Sequence, residues 1–176
     1  MSHSQTIIRR CSCCFWDFAD GSLRETDSSF KYEVASAPSV VSLAPLQRLL
    51  AGANSSSAGF IRFADDAALD PPATYVIKVT NTGAVDADDA VLGFLKPPDG
   101  GKDGAPLQQL FGFERVHLKA GESTTVTLYP AHADFAQVGR DGVRRAHAGE
   151  YTVAFGVKET VAQGGGHVEH VVWAAL

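Results

Sequence analysis

The fold class is set by the stretch Tyr75-Val76-Ile77-Lys78-Val79-Thr80-Asn81-Thr82-Gly83. Its larger apolar side chains occupy every second position, which is the period of a β-strand with one buried face. Asn81-Thr82-Gly83 then gives a turn signal that ends the strand. The stretch therefore predicts one strand of an antiparallel sheet.

The chain downstream repeats this pattern. Further strand candidates lie at Val91–Leu95, Phe111–Leu118, Thr124–Tyr129, Tyr151–Phe155 and His167–Trp173. Asp141-Gly142, within Val138–Val143, predicts a hairpin, because Asp-Gly supplies the left-handed geometry of a tight turn. No long amphipathic helix is visible after Asp70. About seven short strands with turns between them are typical of a two-sheet antiparallel β-sandwich.

The strand at Phe111–Leu118 also carries a prediction about side chains. Phe113 and Val116 are expected to point into the core, while Glu114 and Arg115 stay outside or pair locally.

Upstream of Ala73 the pattern is weaker. Phe30, Tyr32 and Val34 alternate with charged residues and predict a strand. Residues 37–51 allow two interpretations, a short helical turn after Pro45 or an irregular packed segment. The remaining segments predict a surface loop at 51–59, a short strand at 60–63 and a break at Asp70-Pro71-Pro72.

Composition excludes several classes of function. The net charge of −5, with scattered Lys and Arg, argues against nucleic acid and against an anionic membrane surface as partners. The N-terminal region has no apolar run of a secretory signal, and no stretch approaches a membrane span. Cys11, Cys13 and Cys14 are the only cysteines, so no disulfide framework can cross-link the sandwich. The compartment stays open.

A set of motifs in a fixed order carries a family resemblance. The motifs are Val79-Thr80-Asn81-Thr82-Gly83, Phe111-Gly112-Phe113-Glu114-Arg115-Val116, Leu118-Lys119-Ala120-Gly121-Glu122-Ser123 with Val126-Thr127-Leu128, Val138–Val143, and Gly149-Glu150-Tyr151-Thr152-Val153. Together they resemble the C-terminal fibronectin type III-like domain of family 3 glycoside hydrolases, of the β-xylosidase or β-glucosidase type. Ser29-Phe30-Lys31-Tyr32 with Ser36-Ala37-Pro38 resembles the segment where those enzymes leave their catalytic core.

The resemblance implies a fibronectin type III or immunoglobulin-like fold and a division into three parts. Residues 1–27 are an unmatched leader, expected to be poorly ordered. Residues 28–72 are a connecting segment with one strand packed on the sandwich, and residues 73–176 form the fibronectin type III-like sandwich.

The resemblance also implies a role in xylan or other plant-polysaccharide breakdown without chemistry of its own. In the family this domain is a structural module, and the catalytic carboxylates lie in preceding domains. At 176 residues the chain is expected to lack those domains, so no catalytic residue, cofactor or metal site is transferred to it. The implied partner is the set of glycosidase catalytic domains. Family members are often secreted.

Acidic residues are the first candidates for chemistry within the chain. Retaining glycosidases need two carboxylates about 5–5.5 Å apart. The pairs Asp65-Asp66 and Asp88-Asp89 are adjacent in sequence, so on a strand they point to opposite faces, and a solvated loop is the favoured interpretation. Asp134 and Asp141 occur singly.

Metal sites and a catalytic cysteine are weakly supported. Asp99 and Asp103 lie in a Gly-rich loop that lacks the ligand spacing of a calcium loop. Cys11-x-x-Cys14 and His167-x-x-His170 together provide zinc ligands, but the two pairs are far apart and the histidines face opposite sides of a strand. A catalytic cysteine needs a histidine beside it, and nothing in the sequence places one there. The other histidines are distant in sequence from the cysteines: His3, His117, His132 and His147. Gly164-Gly165-Gly166 lacks the Lys and the helix of a phosphate loop.

Aromatic residues offer a carbohydrate contact as the alternative. Trp16, Tyr129, Tyr151 and Trp173 could line a sugar platform, although strand aromatics usually belong to the core.

Three functions are therefore compared. A structural module of a glycosidase predicts an uncovered apolar patch on one face. A carbohydrate-binding module predicts a row of exposed aromatics on one sheet face. A protein-interaction module predicts an open sheet edge without sugar affinity. The order of the motifs favours the first.

Overall fold

The structure is a computed structural model, and it describes residues 28–55, 69–102, 104–158 and 164–176. The predicted leader 1–27 and the predicted strand at 60–63 lie outside these residues. The described elements are β1 (Phe30–Ser36), β2 (Val40–Ser42), α1 (Ala44–Ser55), β3 (Tyr75–Asn81), β4 (Ala87–Lys96), β5 (Gln109–Leu118), β6 (Ser123–Leu128), a 3-10 helix (His132–Phe135), β7 (Ala136–Val138), β8 (Arg144–Ala146), β9 (Gly149–Gly156) and β10 (His167–Ala175).

Two facing sheets form the body of the fold. Three strands pair in the order β1-β3-β6 and five in the order β2-β10-β9-β4-β5, while β7 and β8 form the predicted hairpin. The pairs are antiparallel except that β2 runs parallel to β10. The predicted antiparallel β-sandwich is confirmed, with eight strands in the two facing sheets of the described residues.

The core lies between the inner faces of these sheets. Tyr75, Ile77 and Val79 of β3 face the inner side of β9, which includes Tyr151. The side chains of these four residues are fully buried. Each is at an alternate position of its strand, so the pattern that predicted the strands also fills the core.

The segment before Ala73 is part of this body. The described residues of this segment contribute two strands, because β1 pairs with β3 and β2 pairs with β10. Of the two interpretations of residues 37–51, the helix is right. Pro45 lies in its first turn, and Leu46 and Leu50, four positions apart, are buried on one face.

The helix is longer than expected. It extends to Ser55, so the predicted loop is wrong for residues 51–55, and residues 56–59 lie outside the described part. The small residues there are compatible with helix once Leu46 and Leu50 anchor it to the core. None of the helices in the described residues is long and apolar enough to span a membrane.

Asn81 explains why the Asn-Thr-Gly motif is a turn. Its side chain is fully buried, and its Nδ2 donates to the carbonyl oxygens of Val85 (2.8 Å) and Leu118 (3.0 Å). Its Oδ1 accepts from the Gly83 N–H at 2.9 Å. One amide group thus satisfies three backbone groups at the end of β3 and fixes where that strand stops.

A bulge in β5 corrects the prediction for Phe113. Pairing with β4 passes from Gly93–Gly112 to Phe94–Leu110, which leaves Phe111 as the extra residue. Phe111 packs against the core, whereas Phe113 is 66% exposed. Phe113 and Val116 are three positions apart, so a regular strand places them on opposite faces. Because Val116 is buried on the inner face, Phe113 points outward. Glu114 and Arg115 are exposed as expected.

Candidate functional site

The adjacent carboxylates of β4, Asp88 and Asp89, accept hydrogen bonds from different residues. Asp88 accepts from Arg115 Nη2 at 2.6 Å and lies 2.7 Å from His117 Nδ1. The hydrogen bonds from Arg115 and then from His117 hold the pKa of Asp88 below its ordinary value. Asp89 instead accepts from the Tyr32 hydroxyl at 2.7 Å. The pair lies in a strand and not in the expected loop, and its members face opposite sides, as predicted.

The Asp89–Tyr32 hydrogen bond joins the two sheets. Tyr32 lies in β1 of the three-stranded sheet, and Asp89 lies in β4 of the five-stranded sheet. Burial, and then the hydrogen bond to Asp89, raise the pKa of Tyr32 far above its ordinary value. The hydroxyl is therefore a fixed neutral donor, which suits a structural tie.

The acidic candidates that occur singly, Asp134 and Asp141, stabilise turns through hydrogen bonds. Asp134 accepts from the Ala131 N–H at 2.7 Å and from Gln109 Nε2 at 3.2 Å, at the start of the 3-10 helix. Asp141 makes a two-pronged ion pair with Arg145, at 2.9 and 2.5 Å, and accepts from the Val143 N–H. Arg145 is the main cause of the strongly lowered pKa of Asp141. Asp65 and Asp66 lie outside the described residues.

An open polar cleft of about 410 Å³ lies between the β4–β5 loop and the β7–β8 hairpin. Asp99 and Asp141 both line it, and each has a basic partner in the same lining. Lys102 Nζ is 3.4 Å from Asp99, and Arg145 holds Asp141. The cleft therefore presents paired charges, where retaining hydrolysis needs a free nucleophile beside a protonated acid.

The metal candidates are not brought together within the part of the chain that the structure describes. His170 Nε2 lies 2.9 Å from the Pro38 carbonyl oxygen, and His167 Nδ1 lies 3.3 Å from that of Gly156. His170 packs against the Tyr75 ring in the interior, whereas His167 lines a depression on the outer face, so the two point oppositely, as predicted. No group of three or more possible ligands occurs in the described residues. Cys11, Cys14 and Asp103 lie outside them.

The remaining histidines are dispersed. His117 is exposed on β5, and His132 is buried in the 3-10 helix. His147 accepts from the Tyr151 hydroxyl at 3.1 Å through its backbone carbonyl. His3 lies outside the described residues.

The aromatic candidates do not form one platform. Tyr151 is fully buried, so its proposed sugar contact is wrong. Tyr129 and Trp173 are exposed, but Trp173 lies in β10 while Tyr129 follows β6 of the other sheet. Trp16 lies outside the described residues. Phe113, which sequence reasoning placed in the core, is the exposed aromatic that shares a sheet with Trp173.

Phe113 and Trp173 are nonetheless far apart. They lie on β5 and β10, with β4 and β9 between them. Three strand spacings separate them by about 14 Å. The ion pair of Lys96 Nζ with Glu169 Oε1, at 2.6 Å, links β4 to β10 across the strand between them.

The outer faces of the two sheets differ in polarity. The three-stranded sheet presents Lys31, Glu33, Lys78, Thr125 and Thr127, all exposed. The five-stranded sheet presents exposed apolar side chains, namely Leu110, Phe113, Val171 and Trp173, beside two charged groups on the same face. The charged groups are Asp88 with Arg115 and His117, and Lys96 with Glu169. An antiparallel sheet facing water is normally polar on its outer side, so the apolar side chains between these charged groups are the exception.

Comparison with known proteins identifies the domain. The family model described as fibronectin type III-like domain matches residues 89–158, which run from β4 through β9. The fold expected from the motifs is thereby confirmed.

Curated relatives of this fibronectin type III-like domain are named as xylosidases. The chain is 35% identical over 97 residues to a probable exo-1,4-beta-xylosidase of Aspergillus fumigatus, covering 54% of this chain and 12% of the relative. It is 34% identical over 87 residues to the exo-1,4-beta-xylosidase of Emericella nidulans, covering 49% of this chain and 11% of the relative. It thus spans about an eighth of the length of the first of these relatives.

Solved structures give the same fold. A beta-glucosidase from Listeria innocua in complex with glucose matches with a TM-score of 0.59 at 16% identity, over 89% of this chain and 17% of that one. The GH3 beta-glucosidase of Bifidobacterium adolescentis matches with a TM-score of 0.54 at 25% identity, over 88% of this chain and 18% of that one. The resemblance to the fibronectin type III-like domain of family 3 glycoside hydrolases is confirmed.

Proposed function

We propose that this chain is a non-catalytic accessory domain of a β-xylosidase-type glycoside hydrolase, which stabilises the catalytic domains beside it and takes part in xylan breakdown. One observation carries the proposal: the region that matches the xylosidases makes up only about an eighth of the Aspergillus fumigatus relative and has the fold of a fibronectin type III-like domain. The bulk of such an enzyme lies in other domains, and these are the partners that the proposal implies.

The state of the acidic residues supports the non-catalytic part. Asp88, Asp89, Asp134 and Asp141 are each engaged by a donor from the protein itself. A nucleophile and a general acid must instead face one bond, with pKa values that their surroundings push apart. Carboxylates that hold strands and turns in place are typical of a structural module.

Incubation of the purified chain with an aryl β-D-xyloside and an aryl β-D-glucoside tests this part. We expect release of the aryl alcohol at the rate of buffer alone. Turnover that copurifies with the chain and disappears in Asp141→Asn or Asp99→Asn, but persists in Asp88→Asn, would place a catalytic centre in the polar cleft and contradict the proposal.

Retention on insoluble xylan separates the accessory function from carbohydrate binding. We expect the chain to remain in solution, because Phe113 and Trp173 lie on separate strands about 14 Å apart and Tyr129 follows a strand of the other sheet. Retention that is lost in Trp173→Ala would instead assign a carbohydrate-binding function to the β2–β10 side of the sheet.

A further inference from the structure

Four apolar side chains form a continuous surface on the outer face of β4 and β5. Leu92 is directly opposite Phe113 in the strand register, and Phe94 is directly opposite Leu110. Directly opposite residues of antiparallel strands have their Cβ atoms about 4.5–5.5 Å apart, so the four side chains are neighbours. Leu92, Phe94, Leu110 and Phe113 are called the β4–β5 patch below.

The β4–β5 patch is more than scattered exposure of single residues. Phe113 and Leu110 are 66% and 48% exposed, and the partly buried Leu92 and Phe94 lie beneath and beside them. Beside Phe94 lies a depression of about 110 Å³, whose lining includes Ala154 and Gly156 and also the polar side chains of Lys96, Gln108, Lys158 and His167. A protruding apolar pair next to a small depression is the shape expected of a site that docks a protein surface.

A second apolar group on the same sheet is the competitor. Val40, Val171 and Trp173 lie on β2 and β10, with Val171 and Trp173 51% and 54% exposed. The Lys96–Glu169 ion pair separates this group from the β4–β5 patch. The competing group lies outside residues 89–158, whereas every residue of the β4–β5 patch lies inside them.

We infer that the β4–β5 patch is the surface by which this domain docks on the catalytic domains of a β-xylosidase-type glycoside hydrolase. The inference rests on the function proposed above. It commits to that partner because the patch falls in the residues matched by the fibronectin type III-like family model, and because the chain spans only about an eighth of the length of the xylosidase that it matches. The domains that make up the rest of such an enzyme can cover the patch.

A chimera tests the inference. The full chain replaces the matching domain of the Emericella nidulans exo-1,4-beta-xylosidase, and the half-life of xylosidase activity at elevated temperature is measured. The intact enzyme and an enzyme without the domain give the two limits. In the chimera, the double variant Leu110→Ser with Phe113→Ser is expected to shorten the half-life at least about tenfold, toward the enzyme without the domain.

The matched control is Val171→Ser with Trp173→Ser, an aliphatic and an aromatic side chain of similar exposure on the same face. We expect it to change the half-life less than about twofold, as is usual for exposed positions without a partner. Both double variants are also made in the chain alone, where their urea unfolding midpoints should match that of the parent. An effect confined to the chimera then reports docking and not folding.

The possible outcomes separate the two claims. A parent chimera as short-lived as the enzyme without the domain removes the proposed function, and the docking surface with it. A long-lived chimera that is indifferent to the β4–β5 change, or equally sensitive to the control change, overturns the docking surface alone. If the isolated chain sediments as a dimer that Leu110→Ser with Phe113→Ser dissociates, while the chimera is unaffected, the patch is a contact between copies of this chain and the inference is wrong.

Discussion

Two tyrosines of the core differ in what their hydroxyl groups meet. The Tyr32 hydroxyl donates to Asp89 at 2.7 Å. The Tyr75 hydroxyl is buried and has no hydrogen-bond partner among the described residues, and burial raises its pKa to about 12. A buried polar group without a partner costs free energy, whereas a hydrogen bond to a charged group stabilises the fold.

The same substitution should therefore have different consequences at the two positions. Tyr32→Phe is expected to lower the free energy of unfolding by about 1.5–3 kcal/mol, because it removes a bond to a carboxylate. Tyr75→Phe should change it by less than about 1 kcal/mol or raise it. Urea unfolding followed by circular dichroism measures both. Equal losses in the two variants would show that the Asp89 bond has no special role.

Asp88 makes the stability of the fold depend on pH in the acidic range. Its pKa is lowered from 3.8 by Arg115 and His117, so the stability that it contributes is fully present above that value and is lost as the pH falls through the lowered one. In Asp88→Asn, the loss of unfolding free energy between pH 7 and pH 3 should be smaller than in the parent. Asp70→Asn, which removes a charge at an exposed position, is the control. A pH dependence in Asp88→Asn identical to that of the parent would contradict the assignment.

At the scale of single residues, the sequence predicted the direction in which side chains point but not the residues that they contact. The adjacency of Asp88 and Asp89 was enough to predict that they face opposite sides, because side chains alternate along a strand. That Asp89 meets Tyr32, 57 positions away, follows only from the way the two sheets face each other. Local patterns contain no information on such pairs.

Among the elements, the bulge in β5 decides which aromatic enters the core. The Phe111 ring covers Gly93 so closely that a Cβ added at Gly93 would lie 2.6 Å from Phe111 Cζ. The same ring packs against Tyr75 and Phe155, with ring centroids 6.4 and 6.3 Å apart. Gly93 is therefore required for a close approach and not for a turn.

Adding one methyl group at Gly93 should disrupt this packing. Gly93→Ala is expected to lower the free energy of unfolding by about 1–3 kcal/mol, because Phe111 must move out of a filled core. Gly52→Ala is the matched control, since a Cβ at Gly52 in α1 meets nothing within 4 Å, and it should gain about 0.5–1 kcal/mol. Equal effects of the two changes in urea unfolding would mean that Phe111 does not fill the space over Gly93.

The elements were predictable to different degrees. Strands such as β3 and β9 were found from the sequence because large apolar residues occupy every second position on the face that is fully buried. The assignment of Phe113 to the core failed, because it ignored the parity fixed by Val116 and could not anticipate a bulge at Phe111. β2 was missed because three residues are too short for a pattern, and its pairing with β10 is long-range.

At the scale of the whole molecule, the order of the motifs was the decisive signal. Periodicity and turn residues led only to an antiparallel sandwich, and many unrelated functions share that architecture. The domain boundaries at 28 and 73 remain predictions. The apolar side chains on the outer face could not be recognised in the sequence, because residues such as Leu110 and Val171 look like core residues until the pairing of strands shows which side they occupy.

The account as a whole predicts that the sandwich stabilises a neighbour and cleaves no bond itself. The most direct test is the thermal inactivation of the chimera that contains the full chain, compared with the xylosidase that has lost its matching domain. We predict that the chimera retains xylosidase activity with a half-life close to that of the intact enzyme. A chimera that is inactivated as fast as the enzyme without the domain would contradict the account.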